Sequence, residues 1–180
     1  LAVNDTDSAK LWLDALRSMG LPDTEADYLK YLSAHALRLE GKPSAAKNVW
    51  RSILASGDRR VRAKAEFALV NADLKTSTLK PKQAIEKLER LGFAWRGDAF
   101  EFDLKRRLGD IHAEQGEYRA SFLRLKQAAS HFNDVEGAGA IAQDMRKRFR
   151  KLFLDGGANK LPPVTALALY EEFRELTPAG

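Results

Sequence analysis

Residues 102–133 read FDLKRRLGDIHAEQGEYRASFLRLKQAASHFN, and they describe two helices folded against each other. Leu104, Leu108 and Ile111 recur at helical spacing and put one apolar stripe on the first helix. Gly116 follows where a left-handed residue ends a helix, because glycine has no Cβ to clash there. Tyr118, Phe122, Leu125, Ala129 and Phe132 form the matching stripe on the second helix. Leu108, Leu125 and, further upstream, Trp50 are expected in the core.

This helix–turn–helix resembles a tetratricopeptide unit. Leu108-Gly109 stands for the family's Leu-Gly pair and Gly116-Glu117-Tyr118 for its Gly-x-Tyr turn. Ser121 holds the small-residue position, Leu125 the bulky one and Ala128 the second alanine. Small residues let two helix backbones approach while bulky ones fill the seam. Lys105 and His112 stand where the family has aromatic residues, and Asn133 replaces its closing proline.

Working outward, the same pattern recurs. Asp23 or Thr24 is placed to cap a helix bearing Tyr28, Tyr31, Leu32, Ala36 and Leu39, with Gly41 just past its end. Pro43 suits the first turn of the next helix, since it lacks a donor that would be unpaired there. That helix offers Ala45, Ala46, Val49, Trp50, Ile53 and Leu54 to the core, and Gly57 is expected to stop it. Asp58 is placed to cap a third helix running to about Lys75, with Phe67, Val70 and Leu74 along it. The polar turn Thr76-Ser77-Thr78 leads into a helix from Pro81 to Leu91 carrying Ala84 and Leu88. Ala46, Ala84 and Ser121 fall 38 and then 37 residues apart, against a tetratricopeptide period of about 34.

At the edges of the array, Leu11, Trp12, Leu16 and Met19 mark an N-terminal helix. Phe93 to Gly97 reads as an aromatic loop, and Asp98 with Glu101 as a capping-box start. Asp134 is placed to open a long helix through Gly137, Gly139, Ile141, Met145, Phe149, Leu152 and Phe153, ended by Gly156-Gly157. A last helix follows Leu161-Pro162-Pro163, with Val164, Leu167, Tyr170, Phe173 and Leu176 at near-helical spacing. Alternating runs are absent, so nothing argues for strands. The fold class is therefore all-α: an antiparallel helix-pair solenoid of about three pairs with extra helices at both ends. It reads as one array: residues 1–22 a helix, 23–57, 58–97 and 98–133 the pairs, and 134–180 the C-terminal helices.

Composition narrows the chemistry. The chain has 180 residues, 44% hydrophobic and 31% charged, a balance suited to a folded, soluble protein. No apolar run approaches the roughly 18 residues that span a bilayer. With no cysteine, disulfides, thiolate metal sites and cysteine catalysis are excluded. The chain begins at Leu1 and ends Thr-Pro-Ala-Gly, so a processed product or a piece of a longer protein is expected.

Gly137-Ala138-Gly139-Ala140-Ile141-Ala142 matches a dinucleotide-binding spacing, but that chemistry needs a preceding strand. Close helix packing is the plainer reading. Gly156-Gly157-Ala158-Asn159-Lys160 lacks the ending of a phosphate loop, and Arg96-Gly97-Asp98 is explained as a turn and a helix cap. His112-Ala113-Glu114 resembles half of a zinc-deaminase signature, whose other ligands need cysteine. His35, His112 and His131 lie on different helices without metal-ligand spacing. No catalytic residue, cofactor or metal site is assigned, and the chain is not expected to be an enzyme. The net charge is +5, and Arg146, Lys147, Arg148, Arg150 and Lys151 crowd one stretch. Arg59, Arg60, Arg62 and Lys64 form a second basic cluster and Lys105-Arg106-Arg107 a third.

Three functions follow. The tetratricopeptide resemblance implies a protein–protein interaction scaffold whose first helices line a groove for a partner segment. Position by position it points to Tyr31, His35 and Arg38, then Arg106, Asp110 and Ala113, with Ala68 and Ala72 between them. The family's paired lysines for a terminal carboxylate are missing, which disfavours a chaperone-tail receptor. The alternative is nucleic-acid or anionic-polymer binding through Arg146, Lys147, Arg150 and Lys151. The third is a structural spacer within a larger repeat protein, with self-association through exposed array ends. The stretch from Ala168 to Pro178 also looks like part of large bacterial tetratricopeptide-like proteins of unknown role, some exported. That resemblance favours the cell envelope or periplasm over the cytoplasm.

Overall fold

A computed structural model describes residues 15–177, apart from 17, 21, 56 and 133–136. Eight α-helices and two short 3-10 turns lie among them, and no strand does. They are α1 (Asp23–Leu39), α2 (Pro43–Ile53), α3 (Arg59–Lys75), α4 (Pro81–Ala94), α5 (Ala99–Glu114), α6 (Tyr118–His131), α7 (Ala138–Phe153) and α8 (Pro163–Glu172). The turns are Gly157–Lys160 and Arg174–Leu176. The expected N-terminal helix falls mostly outside the described residues; of its apolar positions Met19 is exposed.

The chain divides between Lys87 and Leu88, inside α4, into two compact units. In the first, α2 packs against α1 and α3 packs against both. Its core gathers Ala34, Ala46, Trp50, Ile53, Val61, Ala65, Ala68 and Leu69. In the second, α6 packs against α5 and α7 against α6. Phe102, Phe122, Leu125, Met145, Phe149, Leu152, Leu169 and Phe173 are among its core residues. Leu108, Leu125 and Trp50 are all buried, as the spacing requires.

One stop is used three times. After α1, the Lys42 amide donates to the Leu37 carbonyl at 2.9 Å and Gly41 to Arg38 at 3.2 Å. After α5, Glu117 donates to His112 at 2.9 Å and Gly116 to Ala113 at 3.0 Å. After α3, Thr78 donates to Asp73 at 2.9 Å and Ser77 to Leu74 at 3.0 Å. Each is a Schellman motif, in which a left-handed residue turns the chain so that two otherwise orphaned carbonyls are satisfied. Gly41 and Gly116 have φ of +78° and +75°, and Ser77 adopts +56° despite its Cβ. The Thr76 and Thr78 hydroxyls donate to Ala72 and Asp73 carbonyls, each at 3.1 Å, and so support the strained turn.

Gly109 sets the distance between α5 and α6. A Cβ there would lie 2.6 Å from Leu125 Cγ and 3.3 Å from the Ser121 carbonyl oxygen. The Leu-Gly pair and the small Ser121 thus act together to seat one helix on the other.

Several expectations are corrected. Pro22, not Asp23 or Thr24, occupies the N-cap of α1, and no side chain caps that helix. Its inward face is Leu29, Ser33 and Ala34, while Tyr28, Leu32 and Leu39 are exposed. Helix α2 stops at Ile53 before reaching Gly57, and Ala45 and Leu54 face solvent. Helix α4 runs on to Ala94 and takes in Phe93. Gly137, at φ +93°, is the N-cap of α7 rather than part of it, and Gly139 faces open space, so it brings no helix close. Asp134 lies outside the described residues. In the last helix Val164 and Leu167 point outward, Leu169 turns inward, and α8 yields to a 3-10 turn after Phe173.

Candidate functional site

The expected groove residues divide between the units. In the first, Tyr31 and His35 are half-buried in a ring ladder that descends to the core. Ring centroids lie 4.6 Å apart for Tyr31–His35 and 5.0 Å for His35–Trp50. The edge-on arrangements bring positive ring edges to negative faces. Burial, and secondarily the Arg38 charge, lowers the His35 pKa. His35 Nε2 and Trp50 Nε1 are both buried without a hydrogen-bond partner. Of the three positions only Arg38 is exposed.

In the second unit Arg106 is exposed and Ala113 half-buried on α5. Asp110 is engaged: it accepts a hydrogen bond from Arg148 of α7 at 2.5 Å, and the same guanidinium reaches Asp144 at 2.6 Å. Partial burial disfavours the charged guanidinium, but these two carboxylates outweigh it and raise its pKa. Asp110 and Arg148 therefore clamp α7 against α5.

Arg146, Lys147, Arg150 and Lys151 are exposed on α7, while Ile141, Met145, Phe149 and Leu152 are buried. None of the four cations makes an ion pair among the described residues. The other clusters are partly neutralised: Lys105 pairs with Glu101 at 2.8 Å and Arg107 with Glu114 at 3.3 Å.

A cleft of about 850 Å³ opens in the second unit, and the motifs in the sequence do not point to it. The end of α4 supplies Phe93, the following loop Arg96 and Gly97, α5 Leu104 and Lys105, and α6 Gln127 and His131. The loop is pinned by Asp98, whose carboxylate accepts from the Phe100 and Glu101 amides at 3.0 and 3.2 Å and from Trp95 Nε1 at 2.8 Å. Glu101 returns a bond from the Gly97 amide at 2.7 Å. Partial burial opposes its ionisation, but Lys105, the Gly97 amide and the Arg96 charge prevail, holding the Glu101 carboxyl below its ordinary range. This also settles Arg96-Gly97-Asp98: the Asp98 carboxylate is committed to capping α5.

Phe93 is 81% exposed at the lip, with the Arg96 guanidinium 5.9 Å from its ring centroid. Glu89 and Arg124 pair across the rim at 2.7 Å. Arg96 meets no carboxylate at ion-pair distance among the described residues. Buried Leu104 and Leu108 belong to the floor. An aromatic lip, an apolar floor and an exposed guanidinium can accept an apolar side chain beside a carboxylate.

Among the described residues no group of three or more His, Asp or Glu side chains is placed to hold a metal ion. No described helix is long and apolar enough to cross a membrane. Compared with known proteins, the chain matches no family model, no curated protein and no solved structure.

Proposed function

We propose that the chain is a protein–protein interaction scaffold of tetratricopeptide-like helix pairs, and that it holds a partner's peptide segment. The observation that carries this reading is the cleft beside α5, with exposed Phe93 and Arg96 at its mouth. Repeated Schellman stops after α1, α3 and α5 support the helix-pair part. Pockets for alternate side chains along an extended segment give such sites their selectivity.

A peptide library displayed on phage tests it. Selected peptides should carry an aromatic or aliphatic residue next to Asp or Glu, and Phe93→Ala or Arg96→Glu should weaken them by about tenfold or more, as for a central interface anchor. Absence of enrichment, or binding indifferent to both changes, would refute the cleft. Sensitivity to Arg38→Ala and Arg106→Ala instead would return the site to the tetratricopeptide groove.

The four cations of α7 that make no ion pair among the described residues favour a second reading, binding to an anionic polymer. Retention on RNA near 0.15 M salt that is lost on reversing Arg146, Lys147 and Arg150 to glutamate would favour it over the first.

A further inference from the structure

Three carboxylates line the cleft, and they are held differently. Asp98 caps α5, and Glu101 accepts from the Gly97 amide while pairing with Lys105. These two belong to the frame of the loop. Glu89 of α4 has no such tie: among the described residues its carboxylate has one partner, Arg124 of α6, at 2.7 Å. Arg124 in turn spends one N–H on Glu89 and makes no other hydrogen bond among the described residues. A guanidinium carries five such donors and pairs best with a carboxylate through two parallel bonds. The Arg124 and Glu89 side chains are 35% and 45% exposed, so water reaches both and the pair is weak.

Arg124 is therefore a cation of the cleft with donors to spare and an exchangeable partner. We propose that Glu89 is an internal competitor in the cleft: it holds Arg124 until a carboxylate of the bound segment replaces it. This role rests on the peptide-binding reading of the cleft and names the class of peptide. The segment carries an apolar side chain and at least two acidic residues, one for Arg96 and one for Arg124. Tethering makes the competition selective. Glu89 stays beside Arg124 at the high effective concentration of a linked group, so a small free carboxylate loses to it. A carboxylate on a segment already seated by its apolar side chain is tethered too, and the two compete on even terms. Glu89 thus discriminates against loosely matched acidic ligands, the repulsive half of a specific site.

The test pans one random-peptide phage library on the wild-type chain and on Glu89→Gln, then titrates synthetic copies of the enriched peptides by calorimetry. Glutamine keeps a neutral acceptor but gives up the charge that grips Arg124. Acidic peptides selected on the wild type should bind Glu89→Gln about twofold to fivefold tighter, the range of an exposed ion pair. Copies with the acidic residues changed to amides should bind both proteins alike, and Glu89→Gln/Arg124→Gln should lose the gain. Glu89 is exposed, so its substitution should leave circular dichroism unchanged. Peptides that need Phe93 yet bind wild type and Glu89→Gln equally overturn the competitor role and leave the cleft reading standing. A gain that persists with the amide copies, or in the double variant, also overturns it, because exchange at Arg124 is then not the source. Peptides indifferent to Phe93→Ala, or no enrichment on either protein, overturn both.

Discussion

The first unit is packed around one tryptophan among alanines, and the second around a run of phenylalanines. Of the eight buried residues clustered in the first, Ala34, Ala46, Ala65 and Ala68 are alanines, and Trp50 is the one aromatic ring. In the second, Phe122 touches both Phe173 and Phe149, with centroids 5.1 and 6.1 Å apart, and Phe102 extends the cluster. Alanines bring helix backbones close but bury little area each, so the first core leans on Trp50, with Ile53, Val61 and Leu69 around it. The second spreads its burial over several rings and aliphatics. The helix stops differ too: among the described residues the one non-glycine residue in the left-handed region, Ser77, lies in the first unit.

The largest effect should come from Trp50→Ala, which removes that central ring and should cost about 3–5 kcal/mol. Hydrogen exchange should speed in α1, α2 and α3 while α5, α6 and α7 keep their protection. Equal loss in both units would show that they unfold together and that the contrast has no energetic meaning.

Next is the close approach of α5 and α6. Gly109→Ala adds a Cβ 2.6 Å from Leu125 Cγ and 2.8 Å from Cδ2. Overpacking of about 1–3 kcal/mol outweighs the gain of about 1 kcal/mol from alanine's helix propensity, leaving a net loss near 1 kcal/mol. Leu125→Ala alone should cost about 2–5 kcal/mol. In that background Gly109→Ala should become stabilising. Urea unfolding of the four proteins measures this reversal, and a loss of the same size in both backgrounds would mean the glycine serves another purpose.

The smallest effect concerns the strained stop. Ser77→Gly relieves a left-handed conformation costing roughly 1–2 kcal/mol, less the roughly 0.5–1 kcal/mol of extra chain entropy that glycine loses on folding. A stabilisation of about 0.5–1 kcal/mol should appear in thermal or urea unfolding. No gain would mean that the Thr76 and Thr78 hydroxyl bonds already remove the strain.

Legibility varied with the range over which each feature is decided. The hairpin of α5 and α6 was readable because each helix carries one apolar stripe and the turn between them is set by Gly116. The Asp58 and Asp98 caps were readable too, since the donating amides lie two and three residues ahead. The face of α1 was not. Apolar residues line it on two sides, and the side that turns inward is the one that shares a core with Trp50, through Ala34 and the His35 ring. In the middle pair the Schellman stop was hidden because serine, rather than glycine, takes the left-handed position.

The sequence by itself determined that the chain is helical, where many helices begin and end, and that residues 102–133 form a helical hairpin. These are contests between residues within a few positions of one another, settled by periodicity, caps and left-handed stops. Tertiary structure alone decided that Asp110 is taken up by Arg148, that His35 packs between the Tyr31 and Trp50 rings, and that α8 leaves an apolar side uncovered. It also assembled the cleft, whose walls come from residues as far apart as Glu89 and Phe132. Periodicity tells that a helix has an apolar side, but which side is covered depends on the neighbours that fold against it, and no local rule contains them.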